Sequence, residues 1–203
     1  MSFTLTFLLV IANVLGAGMI VPQVIRLRRL RSVDGVSASG TGVGIAMNSW
    51  WVLYGIQSGA YGIIPVSAAG AALYLVIALQ LTGITGRTIV RPILTGAGVI
   101  GMVPLVPYLT SSLRITGLVI GLLYGVQFLP AALAAIQTWK PTGISPATWA
   151  MAWIEAVIWL VYGSSTSDPA LIVGGAGGTL MASVILTHVA VTRRRTAVQP
   201  LFR

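Results

Sequence analysis

Among the side chains able to do chemistry, Glu155 stands apart: it is the one acidic residue set well inside an apolar stretch. Charge at that depth of a bilayer is expensive. Such a carboxylate must carry a proton, meet a cationic group or be tied by hydrogen bonds to a neighbouring helix. Trp159 follows it by four residues, and Asn48 precedes Trp51 by three. On helices these spacings place each polar group beside an indole on one face. An indole is a flat apolar platform for a sugar ring or an organic cation, and the amide or carboxylate beside it supplies directional bonds. Trp139 and Trp149 fall near helix ends, where they suit interfacial anchoring. Asn13 and Gln127 read as polar links between helices. Asp34 and Asp168 fall in loops and read as solvated, and His188 reads as facing the interface.

Catalytic constellations are missing. One histidine, no cysteine and no G-x-S-x-G string leave no triad, metal cluster or carboxylate pair, and there is no phosphate-binding G-x-x-x-x-G-K-[ST]. The expectation is a protein that is not an enzyme and that uses no metal or cofactor.

Composition then defines the elements that must position these residues. With 56% hydrophobic and 7% charged residues and a mean hydropathy of +0.94, the chain has too little polar surface to clothe a soluble globule. Seven apolar segments read as membrane helices, at 3–25, 41–57, 61–81, 92–109, 115–138, 145–163 and 169–191. Eleven of the twelve basic residues then share one side. Arg26, Arg28, Arg29 and Arg31 follow the first helix, Arg87 and Arg91 the third, Lys140 the fifth, and Arg193, Arg194, Arg195 and Arg203 the seventh, with Arg114 alone opposite. The positive-inside rule makes that side cytoplasmic, with the N-terminus out and the C-terminus in. The net charge of +9 is thereby topological. Anionic lipid is an expected partner and nucleic acid is not. The first helix has no basic n-region before it and reads as retained.

A shift of 108 residues lays Pro22 on Pro130, Gly35 on Gly143, Ser37 on Ser145, Trp51 on Trp159, Tyr54 on Tyr162 and Gly55 on Gly163, with 11 identities in 56 positions from Pro22 to Ile77. Two triplets of helices therefore flank an unpaired fourth. Three crossings invert a unit and one more restores it, so the repeats run parallel about an axis along the membrane normal. The divisions are 1–83 and 114–192 for the repeats, 84–113 for the linker helix and 193–203 for a basic tail. Pro22 and Pro130 sit late in the first helix of each repeat and read as paired flexible points. Gly16, Gly18, Gly70, Gly96, Gly98, Gly101, Gly174, Gly175, Gly177 and Gly178 read as sites where helix backbones approach closely.

Pro22-Gln23, then a basic loop, then Gly35-Val36-Ser37 and Trp51-Val52-Leu53-Tyr54-Gly55, resembles a PQ-loop repeat. The second copy runs Pro130-Ala131, Gly143-Ile144-Ser145 and Trp159-Leu160-Val161-Tyr162-Gly163. A 3+1+3 order of such repeats is similar to the SWEET-type sugar facilitators, over nearly the whole chain. The resemblance implies an all-α membrane protein of two parallel triple-helix bundles joined by a linker helix. It also points to Ser67 and Gly175 as solute-contacting positions, because sugar-binding members carry asparagine there, three residues before the glycines here numbered Gly70 and Gly178. Pro22, Gln23 and Pro130 are the hinges it implies.

The expected function is passage of a small polar solute by alternating access, with a sugar first and Asn48, Trp51, Ser67, Glu155, Trp159 and Gly175 contacting it. A proton-coupled exporter of amino acids or cationic metabolites, with Glu155 as the coupling group, is the alternative within that class. A non-translocating receptor or scaffold is the alternative outside it. The expected location is the plasma membrane, as a multi-pass chain that can form a homo-oligomer.

Overall fold

The computed structural model describes residues 3–31, 33, 36–86, 89–137 and 146–198. All regular structure among them is helical: α1 (Phe3–Leu30), α2 (Ala38–Ser58), a 3-10 turn (Tyr61–Ile63), α3 (Ile64–Thr85), α4 (Val90–Thr110), α5 (Leu113–Val126), α6 (Leu129–Gln137), α7 (Pro146–Thr166) and α8 (Pro169–Val198). Asp34, Gly35, Arg87, Trp139, Lys140, Gly143, Ser145 and Arg203, all used in the sequence reading, lie outside the described residues.

Among the described residues, four spans are long and apolar enough to cross a membrane: Phe3–Leu30, Tyr61–Thr85, Val90–Thr110 and Pro169–Thr192. α2 and α7 are of similar length, 21 residues each, but carry the polar and aromatic residues that lower their hydropathy. That polar content is turned inward, since Trp51, Tyr54, Glu155, Trp159 and Tyr162 are all buried. The outer surface shows the opposite chemistry, with Phe7, Val10 and Val14 on α1 and Leu94, Met102, Val106 and Leu109 on α4 exposed. Apolar outside and polar inside is the distribution that lipid, not water, stabilises.

One expected helix is corrected. The segment 115–138 is not continuous, because α5 stops at Val126 and α6 restarts at Leu129. Pro130 explains the position of the break: its ring collides with the carbonyl four residues back, which is that of Val126, and it offers no N–H in return. The chain bridges the gap with a tighter turn, the Phe128 amide donating to the Gly125 carbonyl at 3.2 Å before Ala132 N–H resumes the helical pattern to Phe128 at 3.0 Å. Pro22 is its counterpart under the 108-residue shift, yet α1 runs through it without interruption to Leu30. The two prolines thus sit in different local structures.

α3 packs against both α1 and α2, and α8 against α5, α6 and α7. Between these groups α1 meets α7 and α2 meets α5, while α4 lies along α2. Polar side chains fix the helix starts. Ser37 accepts from Gly40 N–H at 3.0 Å to cap α2, and Ser112 accepts from Ile115 N–H at 3.3 Å to cap α5. α3 has no side-chain cap of its own. Asn13 of α1 supplies one, its Oδ1 accepting from Val66 N–H at 2.7 Å while its Nδ2 donates to the carbonyls of Leu9 (2.7 Å) and Gly62 (3.1 Å).

Most of the larger buried apolar residues fall into three clusters, and their placement is unequal along the helices. One large cluster draws on nearly every helix: Leu9 and Ala12 from α1, Met47, Trp51 and Tyr54 from α2, Val66 from α3, Ile120 from α5, Ile158, Trp159 and Tyr162 from α7, and Leu171 from α8. The ends of the helices near the basic loops share no such core. There, Leu27, Ile77 and Leu81 join α1 to α3, and separately Ala132, Ile185 and Val189 join α6 to α8.

Candidate functional site

Where the large cluster ends, α2, α3, α5, α7 and α8 enclose a cavity of about 50 Å³, space for a handful of water-sized groups. Asn48, Trp51, Ser67, Glu155, Trp159 and Gly175, the six solute-contacting positions read from the sequence, all lie on its wall. Ile63, Val66, Tyr124, Leu171 and Gly174 complete it. Four pairs in this wall are related by the 108-residue shift: Trp51 with Trp159, Ile63 with Leu171, Val66 with Gly174, and Ser67 with Gly175. The remaining three, Asn48, Tyr124 and Glu155, face Ala156, Gly16 and Met47 under the same shift. The frame of the cavity is therefore duplicated and its polar chemistry is not.

The paired indoles hold similar positions. Trp51 meets Tyr54 edge-on at 5.9 Å and 86°, and Trp159 meets Tyr162 at 6.1 Å and 84°. A ring at i and a ring at i+3 lie side by side on a helix, which is why W-x-x-Y recurs as a unit. Trp51 also touches Tyr124 edge-on at 6.3 Å, so the α5 tyrosine, absent from the sequence-level site, belongs to the wall. The shift opposes it to Gly16, and so the repeat could not reveal it.

Glu155 is 5% exposed. Its Oε1 accepts from Trp159 Nε1–H at 3.1 Å, one helical turn away. The Tyr124 hydroxyl stands 3.5 Å from Oε2, at the outer limit of a hydrogen bond. Across the helix interface lies Gly16 of α1, where any side chain would run into this carboxylate and Val66. The absence of a Cβ at 16 is what admits the acid. Gly70 does the same for Asn48, whose amide lies against α3 and donates from Nδ2 to the Gly44 carbonyl at 2.8 Å.

Trp51 shows the cost of the unequal chemistry. Its indole N–H is buried and has no partner among the described residues. Trp159 finds its acceptor four residues back at Glu155; the residue four back from Trp51 is Met47, which offers none. A buried donor without a partner costs about 1–3 kcal/mol, which a bound acceptor would recover.

At the closed end of the large cluster, Asp168 is not the solvated loop residue expected from sequence. It is half-buried, and its Oδ1 accepts from the Tyr54 hydroxyl at 2.8 Å and from the amides of Ala170 (3.0 Å) and Leu171 (3.2 Å). The string Asp168-Pro169 is a helix-start signal, an acidic N-cap before proline at the first helical position, and it could have shown this cap. Nothing local could have shown the Tyr54 bond, whose partners are 114 residues apart. Among the hinge residues, Pro22 is exposed on α1 and Gln23 is half-buried, and both lie away from the cavity wall, while Pro130 marks the α5/α6 break.

Comparison with protein-family models and with characterised proteins gave no match.

Proposed function

We propose that this chain is a multi-pass transporter of the plasma membrane that moves a small polar solute by alternating access between two triple-helix halves, α1–α3 and α5–α8, joined by α4. The reading keeps the SWEET-type 3+1+3 order of PQ-loop repeats and makes a sugar the first substrate class. Its main support is the cavity between the halves, whose wall is contributed by shift-related residues of both. The contacts of α1 with α7 and α2 with α5 are exchanged by the same relation, as a two-fold axis requires.

The direction of access follows from the clusters. One core and the Tyr54–Asp168 bond hold the halves together away from the basic loops, and the halves keep separate cores beside them. With the basic side cytoplasmic, the conformation is closed to the outside. A cavity of water-sized capacity also means that a larger solute enters only as helices move apart. Cysteine placed at Ser32 should label from the cytoplasmic side and cysteine at Ser112 from the external side; labelling of both from one side would overturn the orientation. The chain has no native cysteine to interfere.

Purified protein in liposomes should take up radiolabelled solute saturably and exchange it across the membrane at equal concentrations. Absence of uptake for every solute that binds would leave the receptor or scaffold reading in place. Glu155 favours the coupled alternative for a specific reason, since it is a buried acid on the cavity wall. If it couples flux to protons, Glu155→Gln should abolish gradient-driven accumulation and spare exchange. Wild-type flux that is flat between about pH 5 and 8 would exclude coupling.

A further inference from the structure

We infer that the cavity takes a small organic monocation, its ammonium head held by Glu155 among the rings of Trp51, Tyr124 and Trp159, with an oxygen acceptor on the same molecule for the Trp51 N–H. The inference rests on the transport reading for its biological use and takes its cationic-metabolite alternative over the sugar, but the binding site stands on its own geometry.

Charge balance comes first. Glu155 is buried, and its two partners, the Trp159 indole and the Tyr124 hydroxyl, are both neutral. Each basic residue whose exposure the structure describes, Arg26, Arg28, Arg29, Arg31, Arg91 and Arg114, is exposed at a helix end or loop. None of these six arginines therefore balances the carboxylate. A neutral solute would donate hydrogen bonds to it and leave the charge in place, an anion would be repelled, and a cation would neutralise it.

The remaining wall suits the same ligand. Three aromatic residues line one small cavity with the acid, and Trp51 and Tyr124 meet edge-on at 81°, so that their faces point in different directions. Faces of aromatic rings attract ammonium groups, most strongly where water is excluded. Val66, Ile63 and Leu171 supply apolar contact for the carbon skeleton. Finally, the unpartnered Trp51 N–H asks for an acceptor, such as a hydroxyl or carbonyl oxygen a few bonds from the nitrogen.

Choline and its uncharged isostere 3,3-dimethylbutan-1-ol separate charge from shape. Titrated calorimetrically into the full chain in lipid nanodiscs, choline or ethanolammonium is expected to bind at least tenfold more tightly than the isostere or glucose. Glu155→Gln should remove that preference, leaving choline and the isostere within about twofold, and Glu155→Asp should retain part of it. Trp51→Phe should weaken choline several-fold while keeping the preference for charge. Size-exclusion profiles matching wild type establish that the variants are folded; if Glu155→Gln fails that check, the choline-to-isostere ratio in wild type still decides. Equal binding of choline and the isostere, tighter binding of glucose, or no binding of choline, ethanolammonium and L-alanine methyl ester would each overturn the inference. Saturable glucose uptake without cation binding would sink this site and keep transport. Cation binding without uptake of the bound cation would keep the site and sink transport.

Discussion

Gly42→Leu or Gly96→Leu is expected to abolish recovery of monodisperse protein, whereas Gly98→Leu, two residues along the same helix, is expected to be tolerated. At Gly42 a Cβ would collide with the backbone of Ile93 and Ala97 on α4, and at Gly96 with the backbone of Ser39 on α2. These are the two sides of one crossing at which α2 and α4 touch main chain to main chain. Backbone cannot rotate away as a side-chain tip can, so even one added carbon must push the helices apart. Overpacking a well-packed contact costs about 1–3 kcal/mol per insertion and more where backbone must move, which is a large part of a total stability of about 5–15 kcal/mol. Gly98 meets nothing within 4 Å, and a leucine there adds apolar surface to the outside of a helix already lined by Leu94 and Met102. The measurement is the size-exclusion profile and melting temperature of each variant in detergent. Wild-type behaviour of Gly42→Leu and Gly96→Leu would show that α4 does not seat on α2 in this way.

The same glycines mark a boundary of what sequence can tell. Of the ten glycines that read as close-approach positions, Gly18 and Gly98 meet nothing within 4 Å, whereas Gly16 and Gly96, two residues away, are closely faced by neighbouring helices. Residues two apart on an α-helix point to nearly opposite sides, so at most one of each pair can face a given neighbour. Which one does depends on the rotation of the helix about its axis. That rotation is set by long-range packing, and neither α1 nor α4 carries a polar face strong enough to declare it.

Where chemistry broke the apolar monotony, the reading went further. Glu155, Trp159, Asn48 and Trp51 were legible because polar groups inside apolar segments must turn inward, and the 108-residue shift tied the two helices to each other. Ser67 and Gly175 came from the resemblance, and both line the cavity. Tyr124 escaped because its repeat partner is Gly16, so neither periodicity nor the shift singled it out. The break between α5 and α6 was also missed. Pro22 and Pro130 look alike in sequence, yet the first is absorbed by a continuous helix and the second interrupts one, a difference decided by surrounding contacts and not by proline itself.

On the transport reading, Tyr54→Phe is expected to open the external route, because it deletes a side-chain bond that ties the end of α2 to the α7–α8 connection. The Tyr54 hydroxyl donates to Asp168 Oδ1 at 2.8 Å, and the ring itself lies against Gly117 of α5. A hydrogen bond to a charged acceptor contributes about 1.5–3 kcal/mol. If the two access states differ by no more than a few kcal/mol, as a transporter requires, losing that bond shifts their ratio by about 10- to 150-fold toward the outward-open state. Phenylalanine keeps the ring packing, and Asp168 keeps its two amide donors on α8, so the fold should persist. Ser67→Cys provides the reporter: Ser67 is 2% exposed, lies on the cavity wall, and becomes the only thiol in a chain without cysteine. In the otherwise native chain it should react with a membrane-impermeant thiosulfonate from the cytoplasmic side and scarcely from outside. With Tyr54→Phe added, the external rate should rise at least tenfold and the cytoplasmic rate should fall. Tyr162→Phe, at the shift-related position but without an acidic partner because Ala60 stands where the second half has Asp168, should change neither rate appreciably. An external rate unchanged by Tyr54→Phe would mean that the apolar cluster alone closes this end, and that the bond to Asp168 serves only to start α8.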